Sequence, residues 1–184
     1  MNHLPLASVL LATFALAGCG GKEAKEPVSK ERIIAEAGEL ARPLPGQYET
    51  SVKLLSFSVP GLSEEQADKV KGMMGDVGGK SSGYCLTPDE AKKGFEESVR
   101  KMSQGQGGVN CEFSRFDVDG GKLSAEMTCK GPQGMESMMK IDGTATAQST
   151  AMHMAMTQKT SMIPGGEMRM EMQMDSRRTG DCSS

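Results

Sequence analysis

Apolar and polar residues alternate along most of the C-terminal half of the chain. In the stretch EMRMEMQMD, methionine occupies positions 168, 170, 172 and 174, with charged or amide residues between. The same alternation runs through the two preceding segments, MKIDGTATAQ and TAMHMAMTQKTSM. Because successive side chains of a strand point to opposite faces of a sheet, this period of two predicts consecutive antiparallel strands with one apolar face.

The segment from Cys111 to Cys129 predicts a β-hairpin. Its sequence, CEFSRFDVDGGKLSAEMTC, alternates on both sides of residues 119–121 (Asp-Gly-Gly), which tolerate the positive φ angles of tight turns. With these three residues as the loop, Cys111 lies opposite Cys129 and Phe113 lies opposite Met127.

A second hairpin is predicted for the last two strands, with residues 164–166 (Pro-Gly-Gly) as its loop. Three pairs of residues then lie opposite one another: Met168 with Met162, Met174 with Met156, and Glu171 with Lys159. In this arrangement the methionines gather on one face of the sheet and His153 points to the other. Period-two apolar spacing is typical of a buried strand face, so we interpret the methionines first as core residues.

Two helices are predicted in the N-terminal half, each preceded by a capping box. The first begins at Ser63 with Gln66 three residues later, and the second begins at Thr87, followed by Pro88 and Glu90. Apolar residues follow at helical spacing in both: Ala67, Val70, Met73 and Met74 in the first, and Ala91, Phe95, Val99 and Met102 in the second.

Together with a first strand in GQYETSVKLLSFSV, these elements predict the α+β class. We expect an antiparallel β-meander of about six strands, with two helices covering one face and two disulfides. A chain of 184 residues has room for one such domain, which we place at residues 45–184.

Residues 1–18 predict a lipoprotein signal peptide. They contain a short apolar run that ends in Leu-Ala-Gly directly before Cys19, which matches the signal that leads to acylation of the cysteine as the new N-terminus. An ordinary cleaved signal and an uncleaved anchor are the alternatives. Gly20 rather than Asp follows Cys19. We therefore expect the protein to be anchored through acylated Cys19 in the lipid bilayer of the outer membrane of a Gram-negative bacterium, facing the periplasm.

Residues 19–44 are polar and contain two prolines, with a third directly after them at Pro45, so they predict a flexible, lipid-anchored tether. A short helix with Ile33, Ile34 and Ala37 on one side is the alternative.

Apart from Cys19, the chain has four cysteines, an even number in an exported protein, as two disulfides require. The hairpin pairs Cys111 with Cys129, which leaves Cys85 to pair with Cys182. A metal site is the alternative, but the cysteines lack the spacing of a zinc site and the mature chain has one histidine.

The composition excludes one class of partner and points to an unusual core. The net charge is −3, no basic stripe is present and the chain lacks Trp, so nothing favours nucleic-acid binding. Aromatic residues make up only 4% of the chain while methionines number 16, so methionine must supply part of the apolar volume.

The sequence resembles the domain-of-unknown-function 3617 family of small exported Gram-negative proteins. The similar features are the Pro45-Gly46 start of the first strand, the YCLTPDEA segment, the four cysteines and the ending Arg178-Thr179-Gly180-Asp181-Cys182. Tyr48 stands where that family usually has another aromatic residue, often Trp. The resemblance covers residues 45–182 and implies a periplasmic domain with no assigned activity, so no catalytic residue can be transferred.

No residue pattern predicts catalysis. His153 is the single histidine of the mature chain, and no Ser or Asp motif surrounds it. The DVDGGKLSAE segment lacks the spaced acidic ligands of a calcium loop, and the glycine-rich segments lack the strand-to-helix context of a phosphate loop. We therefore predict no enzyme, no catalytic residue and no cofactor.

Two functional hypotheses remain, in addition to a hydrolase whose active site the sequence does not reveal. The first is a binding domain for an envelope protein or a small apolar ligand in the concavity of the sheet. The alternative is a Cu(I)- or Ag(I)-binding protein, because soft ions prefer thioether ligands. The candidate ligands for the alternative are Met156, Met170, Met172 and Met174.

Overall fold

A computed structural model describes residues 26–73, 81–103, 108–162 and 165–183 of the chain. Within these ranges, seven antiparallel strands form one sheet in the order β2-β1-β7-β6-β5-β4-β3. The strands are β1 (Gly46–Ser58), β2 (Ser81–Leu86), β3 (Asn110–Asp119), β4 (Lys122–Lys130), β5 (Glu136–Ala145), β6 (Ser149–Lys159) and β7 (Glu167–Gly180). The helices are α1 (Lys30–Gly38), α2 (Glu64–Met73) and α3 (Pro88–Ser103), and a 3-10 turn covers Pro132–Gly134.

The α+β class, the antiparallel meander and the two disulfides are confirmed. The sequence analysis missed one strand and gave one helix only as an alternative. Strand β2 is an edge strand whose residues are almost all exposed, so its SSGYCL sequence has no apolar alternation to reveal it. Helix α1 lies in the segment assigned to the tether.

The helices cover one face of the sheet, which we call the inner face. Helices α1 and α3 cover β3 and β4, where Ile33 and Val99 join Phe113, Phe116 and other residues in one buried cluster. Helix α2 covers the far end of β1 and β7, where its Val70 joins a second buried cluster. The core is therefore split between the two ends of the inner face.

The expectation that residues 19–44 form a flexible tether is wrong for the part that the structure describes, residues 26–44. Helix α1 buries Ile33 and Ala37, which are 3% and 1% exposed, against the sheet and α3. The Val28 N–H donates to the Phe113 carbonyl at 2.7 Å, and the Glu36 carboxylate accepts from the Val118 N–H at 3.1 Å. This segment thus covers edge strand β3 and belongs to the folded domain.

Both capping boxes are present. The Gln66 N–H lies 3.4 Å from the Ser63 hydroxyl, and the Thr87 N–H donates to the Glu90 carboxylate at 2.9 Å. In α2, Val70 is buried and Ala67 is partly buried, whereas the Met73 side chain and Met74 lie outside the described residues. In α3, the apolar stripe is buried at Ala91 and Val99, partly buried at Phe95 and 37% exposed at Met102.

The β3–β4 hairpin keeps the predicted pairing at its open end and changes it near the turn. Cys111 lies opposite Cys129 and Phe113 opposite Met127, as predicted. The loop contains two residues instead of three, because Gly120 and Gly121 both adopt positive φ angles of 54° and 80°. A β-bulge between Phe113 and residue 115 absorbs the difference.

The bulge has a packing consequence. Because it shifts the alternation by one residue, Phe113 and Phe116 both point inward despite their odd separation. Their rings contact edge to face, with centroids 5.4 Å apart.

The predicted register of the β6–β7 hairpin is wrong, whereas the predicted face is right. The connection runs from Thr160, whose N–H donates to the Gly166 carbonyl at 3.0 Å, and is longer than three residues. The pairs are Met168 with Gln158, Met174 with Met152, Glu171 with Ala155, and Lys159 with Glu167. The shift is an even number of residues, so the methionines of β6 and β7 stay on the inner face, while Met162, in the connection, is 71% exposed.

This register stacks methionines in rows across the sheet. One row crosses β4 to β1 through Met127, Met139, Met156, Met170 and Phe57. The next two rows place Met154 opposite Met172 and Met152 opposite Met174. In the last of these rows β5 contributes Gly143, where a Cβ would collide with the Met152 sulfur, so the glycine makes space for the thioether.

Both disulfides have the predicted partners. Cys111 and Cys129 join the hairpin strands, with Cα atoms 4.0 Å apart. Cys85 and Cys182 join the end of β2 to the C-terminal end of the chain, with Cα atoms 5.5 Å apart. The first bond closes a short loop, and the second holds segments that are 97 residues apart in sequence.

We expect the two disulfides to contribute unequally to stability. Serine replacement of Cys85 and Cys182 should lower the free energy of unfolding by about 4.7 kcal/mol, because loop closure removes entropy from the unfolded chain in proportion to the logarithm of loop length. The matched control, serine replacement of Cys111 and Cys129, should cost about 3.2 kcal/mol. Urea unfolding measures both, and a larger loss for the short loop would contradict this explanation.

Candidate functional site

A groove opens on the inner face where α3 crosses the ends of β1, β2 and β7. Its volume is about 680 Å³, within the range of roughly 300–1,000 Å³ that is usual for small-molecule sites. Helix α3 forms one wall, the sheet forms the floor, and the β5–β6 turn closes one side. The kink of α3 at Gly94, which has a φ of 58°, lies in the wall.

Two stacked tyrosines form the aromatic part of the groove. Tyr48 and Tyr84 are opposite each other on β1 and β2, and their ring centroids are 5.5 Å apart with the planes 17° from parallel. Tyr48 is 4% exposed and Tyr84 is 45% exposed, so the inner ring supports an outer ring that a ligand can contact. The other apolar lining residues are Pro43, Leu86, Phe95 and Met174.

Tyr48 is fixed by its phenol group. Its hydroxyl donates to the Leu44 carbonyl at 2.8 Å and also lies 3.3 Å from the Ala147 carbonyl. Burial, and next the neighbouring Tyr84, raise the pKa of Tyr48, so the phenol remains a neutral donor at physiological pH. The first strand is thereby tied to both the preceding segment and the β5–β6 turn.

Hydroxyl groups form the floor of the groove. Thr50, Ser176 and Thr150 lie side by side on β1, β7 and β6, and the Thr50 hydroxyl donates to Ser176 at 2.8 Å. Three more hydroxyl residues line the groove: Ser98, Thr146 and Ser149. The floor can therefore both donate and accept hydrogen bonds.

Four charged residues of α3 line the groove: Glu90, Lys93, Glu97 and Lys101. The Glu90 carboxylate accepts from the Thr87 N–H and hydroxyl, which lower its pKa and keep it ionised at the helix N-terminus. Glu97 lies 3.9 Å from Arg100 and 4.0 Å from Lys101. Among the described side chains, no carboxylate lies within ion-pair distance of Lys93, although the ionised Glu90 three residues earlier attracts it electrostatically.

Beside the groove, residues from both ends of the domain form what we call the clasp: Pro45, Gly46, Arg178, Asp181 and the Cys85–Cys182 disulfide. The Arg178 Nε donates to the Pro45 carbonyl at 2.8 Å, and its guanidinium also pairs with Asp181. Gly46 has a φ of 147°, and a Cβ there would collide with the Gly180 carbonyl and the Arg178 side chain. The motifs at the two ends of the domain therefore contact each other.

The residues named for other chemistry lie elsewhere. Cys19 is outside the described residues. His153 lies on the outer face, with its Nε2 3.7 Å from the Glu171 carboxylate, and all four domain cysteines are in disulfides. In the described ranges, no three His, Cys, Asp or Glu side chains are grouped as metal ligands.

Of the methionines named for soft metals, Met170 lies directly opposite Met156, and Met172 and Met174 share their face. Met174 alone among the four also lines the groove.

The groove residues were missed by the sequence analysis, although one signal was present. Thr50, Thr150 and Ser176 occupy positions of the strand alternation that otherwise point apolar side chains into the core. Polar residues at inward positions of three neighbouring strands indicate a solvated site on that face. Without the strand order, nothing in the sequence shows that these three positions are adjacent.

No helix in the described part of the chain has the length and apolar character needed to cross a membrane.

Comparison with known proteins gives one result. No curated protein and no solved structure matches the chain. A family model described as a protein of unknown function (DUF3617) matches residues 43–182. This range contains the clasp, both disulfides and the whole sheet, and leaves out α1. Because the match extends over most of the 184 residues, the chain belongs to the DUF3617 family.

Proposed function

We propose that this protein is a lipid-anchored, periplasm-facing binding domain of the outer membrane, which holds a small, partly apolar ligand in the groove beneath α3. The observation that carries the proposal is the groove itself. It combines ligand-sized volume, a supported tyrosine ring, apolar side chains and a row of hydroxyl groups in one concave site.

The chemistry of the groove supports binding and not catalysis. Cys85 lines the groove but is oxidised in a disulfide, and His153 is on the opposite face of the sheet. Its carboxylates are engaged by the α3 cap and by neighbouring cations. A nucleophile with an adjacent base is therefore lacking among the described lining residues.

We expect the mature chain (residues 19–184 with Cys19→Ser, exported so that the disulfides form) to bind the apolar fluorophore N-phenyl-1-naphthylamine at one saturable site. Ser98→Trp should reduce the affinity by about tenfold, because the indole fills the groove from α3. Lys92→Trp is the matched control on the same helix, outside the groove. Equal binding by both variants would refute the groove as the site.

The membrane attachment is tested separately. We expect Cys19 of protein from native membranes to be acylated and N-terminal, which intact-mass and peptide mass spectrometry measure directly. Cys19→Ala should leave the precursor unprocessed, because the modified atom is absent. An intact Met1 in the wild-type protein would refute the lipoprotein assignment.

Soft-metal binding is the second candidate, and the register of β6 and β7 favours it more than the sequence alone does. Thioethers along one strand are about 6.6 Å apart at alternate positions, whereas directly opposed residues have Cβ atoms only about 4.5–5.5 Å apart. The register creates such opposed pairs, Met156 with Met170 and Met154 with Met172. These pairs bring thioethers together more closely than strand spacing alone suggests.

Leucine replacements separate packing from metal binding. We expect Met170→Leu and Met172→Leu each to lower the free energy of unfolding by less than about 1.5 kcal/mol, since the volume of the side chain is conserved. Chemical unfolding measures this change, and competition with a chromogenic Cu(I) chelator measures the metal affinity. Stoichiometric Cu(I) binding that is lost in the folded leucine variants would establish the metal function in place of the packing role.

A further inference from the structure

The inner face changes abruptly from polar to apolar at one end of the groove. The hydroxyl row of Thr50, Ser176 and Thr150 is followed, two residues further along each strand, by Val52, Met174 and Met152. From there to the far end, β7 presents only methionine inward and β1 presents only apolar side chains. A ligand that crosses this boundary meets hydrogen-bonding groups on one side and thioethers on the other.

Beyond the boundary lies an incompletely covered apolar strip, which we call the methionine trough. Its residues are partly exposed and come from three adjacent strands: Val52, Leu54, Met154, Met156, Met172 and Met174. Met174 also lines the groove, so groove and trough are continuous. At the far end the trough meets Met168 and Met170, which are 4% and 6% exposed in the cluster that includes Val70 of α2.

We propose that groove and trough form one site for an amphiphile with a single alkyl chain and an anionic head, the head in the groove and the chain in the trough. This inference rests on the proposed binding function and names its ligand class. The distance along β7 from Ser176 to Met170 is six residues, or about 20 Å, which gives the chain a path of defined length and direction.

Lys93 provides the cationic contact for the head. Glu90 accepts hydrogen bonds from the α3 cap, and Glu97 lies beside Arg100 and Lys101, whereas Lys93 forms no direct ion pair with a carboxylate of the described residues, although Glu90 attracts it electrostatically. A carboxylate or phosphate head supplies that direct ion pair and accepts hydrogen bonds from the hydroxyl floor.

The composition of the trough suits a flexible chain. Methionine side chains are unbranched and polarisable, so they adjust to alkyl groups of varying conformation. Met154 is central to the trough and, unlike the other trough methionines, packs against none of the buried clusters, so it is the trough methionine least committed to the core. An exposed apolar strip with a polar border is also typical of a binding surface.

The first test uses dodecyl phosphate, dodecanoate and uncharged dodecyl maltoside below their micellar concentrations, titrated by calorimetry into the mature chain. We expect both anions to bind at one site and the maltoside to bind about tenfold more weakly. Lys93→Gln should weaken the binding of both anions about fivefold, as expected for an exposed ion pair, and leave the affinity for the maltoside unchanged. Lys92→Gln, on the same helix, is the matched control.

The chain position is tested with Met154→Asn, which should weaken all three probes about tenfold because it places an amide in the trough. Met138→Asn, at a 45% exposed methionine on the outer face, should change nothing. A dodecanoate analogue with a photoreactive group at the end of its alkyl chain tests the same position without any substitution in the domain. It should crosslink within residues 167–174 of β7 and not to α3.

The outcomes are separable. Equal affinity for charged and uncharged probes, or crosslinking of the chain terminus to α3, would overturn the amphiphile assignment while leaving the binding function intact. The amphiphile assignment alone would also be overturned if the wild-type chain bound none of the dodecyl probes but bound the fluorophore in a way that Ser98→Trp weakens. If the wild-type chain bound neither the fluorophore nor any dodecyl probe, the proposed function would be overturned as well.

Discussion

The position of β7 between β1 and β6 is the constraint on which the rest of the structure depends. The last strand of the chain pairs with the first along almost its whole length and with its sequence neighbour on the other side. Without this pairing, β1 and β2 would not belong to the sheet that the meander forms. The groove floor and the trough both need it, because each takes residues from β1, β7 and β6.

The clasp explains why the most specific family features lie at the two ends of the domain. Arg178 holds the Pro45 carbonyl, Gly46 makes room for that approach, and Cys182 is bonded to Cys85. All three interactions hold β7 against β1 and its neighbour β2. These features at the two ends therefore have a structural role, whereas the YCLTPDEA feature contributes Tyr84, Leu86 and Glu90 to the groove.

The sequence predicted faces better than it predicted registers, for a physical reason. Alternation fixes only which side chains share a face, and it is unchanged by any even shift of one strand along another. The β6–β7 pairing differs from the prediction by such a shift, so the methionine face was right while its partners were wrong. In the β3–β4 hairpin the error was a single residue, and the bulge that compensates for it is visible in the sequence only as the odd separation of Phe113 and Phe116.

Helix α1 was predicted only as an alternative, and the groove was missed, because the signals of both depend on tertiary contacts. Helix α1 has nine residues, most of them charged or small, and isolated helices of that length are marginal in water. Its order comes from burying Ile33, Ala37 and nearby Leu40 against the rest of the domain. In the sequence, the charged residues of the groove wall look like an ordinary solvated helix face. They line a groove only because the sheet lies opposite α3.

Methionine side chains fill much of the core and also line the open trough. The two groups differ in how much side-chain conformational entropy they lose on folding. Ordering a methionine side chain costs about 1.5–2 kcal/mol of rotamer freedom, so a core built from it gains less per residue than one built from leucine. The buried methionines at positions 127, 152, 168 and 170 incur that cost on folding. The partly exposed ones in the trough retain more of their freedom, which the proposed amphiphile would remove on binding. Contacts in the trough should consequently be adaptable but weakly selective, and discrimination among ligands must come from the charge and hydroxyl groups of the groove.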